Sequence, residues 1–186
     1  MRYLFKRVLV TATVLAVAVA LAACGSKKAS AGGSVGKGYN QTDVAFVANM
    51  APHHMAGVDL GRLAASKGVN AKVKSIGQAI DTTQSSELRK LNGFLKTFGD
   101  AQPQMLPPVD ERGMMDTEKL AAASGPNFDR KWLDVISAHH GAAIQMAQIE
   151  VAGGQYGPAK SLAQSIISTQ SRELSEFNQL SKQLEK

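Results

Sequence analysis

The chain has 186 residues, 44% hydrophobic and 19% charged, which supplies one packed domain and is too apolar for a disordered chain. The net charge of +6 would suit a nucleic-acid partner, but its distribution excludes one: of 21 Lys and Arg, Arg2, Lys6 and Arg7 belong to the leading segment and Lys27, Lys28 and Lys37 to the next, leaving 15 basic against 15 acidic residues. The single cysteine, Cys24, excludes a disulfide within the chain, so stability must come from the core.

Residues 1–23 carry Arg2, Lys6 and Arg7, then an apolar run from Val8 to Ala20, then small residues, the layout of a secretory signal peptide. The run is shorter than the roughly 20 residues that span a bilayer. "LAAC" (21–24) resembles the bacterial lipobox, which implies cleavage before Cys24, lipidation of that residue and display on the extracytoplasmic face of a membrane. Residues 24–42, rich in Gly, Ser and Lys, read as the lipidated cysteine and a flexible tether.

The domain proper, 43–186, is internally repeated. Residues 43–98 lie over 129–184 without a gap, matching Asp43 with Asp129, His53 with His139, His54 with His140, Gln84 with Gln170 and Glu87 with Glu173. In the first unit Phe46, Met50, His53, Gly57, Leu60 and Ala64 recur at helical steps, Asp43 or Thr42 can cap the start, and "SKGVN" supplies a glycine stop. A second helix from about Ala71 to Phe98 buries Val73, Ile76, Ile80, Leu88, Leu91 and Leu95. The second unit repeats this, with Pro158 near a helix start. The sequence therefore predicts an all-α fold, a four-helix bundle of two duplicated hairpins. The crossover, 99–128, is kept largely irregular by Pro103, Pro107 and Pro108, with a short helix over 116–123 capped by Asp116.

All four histidines fall in "NMAPHHMAG" and "SAHHGAAIQMA". Neighbours on a helix point about 100° apart, so one pair cannot aim at one point, whereas residues three or four apart share a face. Met50 lies one turn before His53 and His54, and Met146 two turns after His139. Imidazole suits copper, zinc, iron and nickel, and thioether selects Cu(I). A His and Met set without thiolate favours copper over zinc. The candidate ligands are His53, His54, His139, His140, Met50, Met55 and Met146, with Met114 and Met115 of the crossover. Gln84, Glu87, Gln170 and Glu173 are candidates for orienting the imidazoles through their distal N–H.

With "FVANMAPHHMAGVDLGRLA", "TTQSSEL", "GMMDTEKL" and "FDRKWLDVISAHHGAAIQMAQIE" in view, residues 43–184 resemble the DUF305 family. That resemblance implies a ferritin-like bundle, exported or lipid-anchored, with copper binding and copper tolerance in some members. It points by position to Met50, His53, His54, His139, His140 and Met146, and to Met114 and Met115 in the connecting segment. Ile136, Leu91 and Phe177 stand where the family often has methionine, departures that count against high affinity or more than one copper site. The leading expectation is a non-enzymatic, lipid-anchored protein that binds copper, buffers it or hands it to a transfer partner, without nucleic acid and without assigned catalytic residues. One alternative is a ferritin-like di-metal oxidase or peroxide-consuming enzyme holding iron or another divalent metal. Against it, no glutamate stands three residues before either histidine pair. The other is a metal-independent interaction module of the envelope. The sequence leaves oligomeric state and the number of sites open.

Overall fold

The computed structural model describes residues 38–99, 120 and 122–185. Most of them lie in four long helices: α1 (Gln41–Lys67), α2 (Ala71–Phe98), α3 (Gly125–Gly153) and α4 (Gly157–Leu184). The signal segment, Cys24, Met114, Met115 and Asp116 lie outside the described residues. Among the described residues no helix is long and apolar enough to cross a membrane.

Local chemistry sets the helix ends, with one correction to the sequence reading. The cap of α1 is Asn40, whose Oδ1 accepts from the N–H groups of Thr42 and Asp43 at 2.9 and 3.1 Å. Asp43 stands at the third helical position and closes a capping box by accepting from the Asn40 N–H. Neither Asp43 nor Thr42 is the cap, because Asn40 already satisfies the free donors two residues earlier. Asn70 caps α2 in the same way, while α3 and α4 start on prolines, whose missing N–H costs nothing in a first turn. That proline start places the beginning of α3 at Gly125, ahead of the repeat boundary at 129.

The two hairpins are locked by reciprocal bonds. Asp43, at the start of α1, accepts from the backbone N–H of Gln155 and Tyr156 in the α3–α4 turn, at 3.0 and 2.7 Å. Asp129, at the start of α3, accepts from Val69 and Asn70 in the α1–α2 turn, at 3.1 and 2.8 Å. These bonds place the start of each long helix at the end of the other, so α1 and α3 run antiparallel. Consequently α2 and α3 run parallel, so the end of α2 and the start of α3 lie at opposite ends of the bundle, the length of a 28-residue helix, about 42 Å, apart. One such long crossover is the connectivity of ferritin-like bundles.

Helices α1 and α3 pack along the centre, each paired with its hairpin partner, while α2 and α4 scarcely touch. Two apolar clusters fill the interior. One contains Phe46, Val47, Met50, Leu91, Met146 and Ile166; the other contains Leu60, Ile80, Phe128, Trp132, Ile136 and Phe177. Trp132 ties the second cluster together by donating its indole N–H to the Leu60 carbonyl at 2.9 Å. Along both α1 and α3 the histidines fall between the clusters.

Candidate metal centre

The antiparallel crossing of α1 and α3 brings the two histidine pairs together at mid-bundle. His53 stacks on His139 with ring centroids 3.7 Å apart, and the outer rings follow at 6.4 Å (His53 to His54) and 6.1 Å (His139 to His140). The four imidazoles thus form a row, His54, His53, His139, His140, and all four residues are buried.

A carboxylate stands at each end of the row. Glu87 on α2 accepts from His54 Nε2 at 2.9 Å, and Glu173 on α4 accepts from His140 Nε2 at 2.8 Å. Both pairs are 33 residues apart in sequence, as the repeat requires. In the middle, His139 Nε2 donates to the backbone carbonyl of His53 at 2.9 Å. These acceptors have only lone pairs to offer there, so they assign the N–H to Nε2. With Nε2 of these three rings so engaged, Nδ1 is the nitrogen left over, and Nδ1 of all four histidines is buried without a hydrogen-bond partner.

The central contact is not symmetric, and Gly57 shows why. A Cβ at Gly57 would collide with the Gln84 amide oxygen and approach His139 Cε1 to 2.8 Å. The missing side chain is therefore the space into which Gln84 and the His139 ring settle. Its repeat counterpart is Ala143, fully buried, so α3 has no matching notch for His53.

Electrostatics keep the inner rings neutral. Burial first, and then the neighbouring imidazole of His139, pushes His53 down to about 2. His139 falls to about 3, again through burial and then His140, against the opposing bond to the His53 carbonyl. Two imidazolium ions cannot face each other in a stack from which water is excluded.

The remaining sequence candidates divide. Met50 and Met146 are buried in the same apolar cluster, on one side of the row; the equivalent positions on the other side are Ile136 and Leu60. Met55 is 56% exposed on the outer face of α1. Gln84 and Gln170 are buried, and with Thr83, Thr169, Glu87 and Glu173 they line a crevice between α2 and α4. Among the described residues, no three His, Cys, Asp or Glu side chains converge as a ready polydentate site. The row offers separate imidazole nitrogens, a donor type that suits copper, zinc, iron or nickel, in an arrangement unlike the closed four-ligand sites of zinc.

Two groups escaped the sequence reading. Asp43 and Asp129 were visible as a repeated pair, but their turn partners lie 112 and 60 residues away. Glu150, fully buried near the end of α3, has a carboxyl raised to about 8 by burial and then by the adjacent Asp43, with Lys160 opposing. Its repeat counterpart is Ala64, so the duplication gave no signal for it.

Comparison with known proteins agrees with this architecture. The family described as "Domain of unknown function (DUF305)" matches residues 43–181. A crystal structure of a DUF305 protein from Streptomyces coelicolor is similar with a TM-score of 0.70 at 20% identity, covering 77% of this chain and 92% of that one. CopM in its Cu(I)-bound form gives a TM-score of 0.65 at 25% identity, covering 76% and 96%. A DUF305 fragment from Deinococcus radiodurans gives 0.66 at 21%, covering 76% and 96%. CopM has also been solved with Cu(II) and with Ag bound. No curated protein matches the chain. The shared bundle and the family match over most of the folded residues make this chain a member of the DUF305 family.

Proposed function

We propose that this protein binds copper, as Cu(I), at the histidine row, and that it does so as a lipid-anchored protein on the extracytoplasmic face of a membrane, buffering the ion or passing it to a transfer partner. One observation carries the reading: three of the four imidazoles have Nε2 fixed by an oxygen acceptor while Nδ1 stays buried and unpartnered. Metal-ligating histidines have this arrangement, in which the distal N–H is anchored so that the other nitrogen presents its lone pair. A buried nitrogen acceptor with no donor is otherwise a cost without return. The similarity to CopM, solved with Cu(I), Cu(II) and Ag, supports copper as the ion. Neutral inner rings present a lone pair to a cation without competition from a proton. Met50 and Met146 adjoin the row from one side, and Met114 and Met115 of the crossover suit capture and hand-over.

The test is an anaerobic Cu(I) titration of residues 25–186 against a chromophoric chelator. Beside it stand the fourfold alanine variant of His53, His54, His139 and His140 and the gentler Glu87→Gln, Glu173→Gln variant. Tight uptake by the wild type, abolished in the first and weakened about 10–100-fold in the second, is expected. Equal binding by all three would sink the proposal. The anchor is checked separately by palmitate labelling, which Cys24→Ser must abolish.

A further inference from the structure

The histidine row is sealed along the bundle axis by the two apolar clusters, so an ion has to enter from the side. The crevice between α2 and α4, too narrow in this structure to admit a water molecule, is lined by Ile80 and by three repeat-related pairs, Thr83 with Thr169, Gln84 with Gln170, and Glu87 with Glu173. Its floor touches the row directly. The side chains of Glu87 and Glu173 are 9% and 21% exposed, while those of the imidazoles they hold are 0% exposed. Each acid therefore has one face toward solvent and the other on a ring.

The two glutamines add an independent sign. Gln84 and Gln170 are each only 2% exposed. Both amide atoms of Gln84 and the Oε1 of Gln170 are buried with no hydrogen-bond partner. A residue needed only to fill space there would be apolar, since a buried amide without a partner opposes folding. Gln84 also reaches inward: its Oε1 occupies the notch at Gly57 beside His139 Cε1. Neutral amide oxygens beneath two carboxylates attract a cation, repel anions and hold the ion too weakly to trap it, the condition for passage. Helices α2 and α4 make few contacts with each other, so parting them disturbs little packing.

We infer that the α2–α4 crevice is the port by which a soft monovalent cation, Cu(I) or Ag(I), enters and leaves the histidine row, with Gln84 and Gln170 as its inner gate. The inference rests on the metal-binding reading above. A residue lining a route changes the on-rate and off-rate by the same factor and leaves Kd alone, whereas a ligand changes Kd.

The experiment is stopped-flow transfer of Cu(I) to and from a chromophoric chelator, with equilibrium titration alongside, for the protein and a Thr83→Leu, Thr169→Leu double variant that seals the mouth with apolar side chains. Both rates are expected to fall about tenfold or more with Kd within about twofold. A second variant, Thr83→Lys with Thr169→Lys, is expected to slow uptake at low ionic strength and to recover in high salt, as a charged mouth would. Unchanged rates in both variants, with histidine-dependent affinity intact, overturn the port alone, and so does a changed Kd at an unchanged on-rate. Absence of equilibrium binding by the wild type overturns the metal-binding reading and the port with it.

Discussion

Gly57→Ala is the smallest change that reaches the histidine row. Its methyl group would displace the Gln84 amide, the end of a flexible side chain, and press on the edge of the His139 ring. A cost of about 1–3 kcal/mol is expected, read as a lower urea midpoint, together with weakened Cu(I) binding. Gly93→Ala is the control, because nothing lies within 4 Å of its Cβ position on the exposed side of α2; it should stabilise by about 0.5–1 kcal/mol. Equal destabilisation by both would show that Gly57 has no special role. At this scale much of the site was legible. The repetition of His53 and His54 as His139 and His140 marked the row, and the repetition of Glu87 as Glu173 marked the acids that hold it. The stacking of the inner rings was not legible, since it depends on how α1 crosses α3, which helical spacing within one helix does not state.

The long helices carry information across the molecule at their ends. Asp129 belongs to the second hairpin yet holds the turn of the first, through two backbone N–H groups at 3.1 and 2.8 Å. Asp129→Ala should cost about 1–3 kcal/mol, because two part-buried backbone donors lose a charged acceptor at once. The local signature should appear in the other hairpin, as faster amide exchange at Val69 and Asn70; slow exchange there in the variant would mean that another group holds the turn. An aspartate near a helix start reads from sequence as a cap, which is why Asp43 was expected in that role. Asn40 takes the role instead, and Asp43 is left to clamp the far turn. Helix identity, order and the hairpin turns followed from periodicity and glycine stops, whereas the reciprocal clamp needed the antiparallel arrangement of α1 and α3.

For the whole molecule, three buried groups set how stability depends on pH. His53 and His139 take up protons near 6.5 when unfolded but only near about 2 and 3 when folded, so stability is complete above 6.5 and is lost as the pH falls below it. Glu150 works in the opposite direction. Its carboxyl loses a proton near 4.5 when unfolded and near about 8 when folded, so stability declines as the pH rises from 4.5 to 8. Between 4.5 and 6.5 two imidazoles outweigh one carboxyl, which places the maximum near pH 6.5. Urea midpoints measured across pH 4 to 9 should show that maximum, and Glu150→Gln should replace the alkaline decline with a plateau. A decline that persists unchanged in the variant would assign it to another group.

The stack of His53 on His139 has a consequence for the origin of the chain. A two-fold axis relating the hairpins passes between these rings, since each long helix offers the same position to its opposite. Two copies of one ancestral hairpin, pairing face to face, would have set identical histidines against each other on their dyad and produced the whole row from half the residues. Fusion of the two copies into one chain would then have released each half to diverge. Pro52 opposite Ala138, Gly57 opposite Ala143 and Met50 opposite Ile136 are differences that a homodimer could not have acquired. The offset bond from His139 to the His53 carbonyl is an asymmetry of the kind that a single fused chain permits.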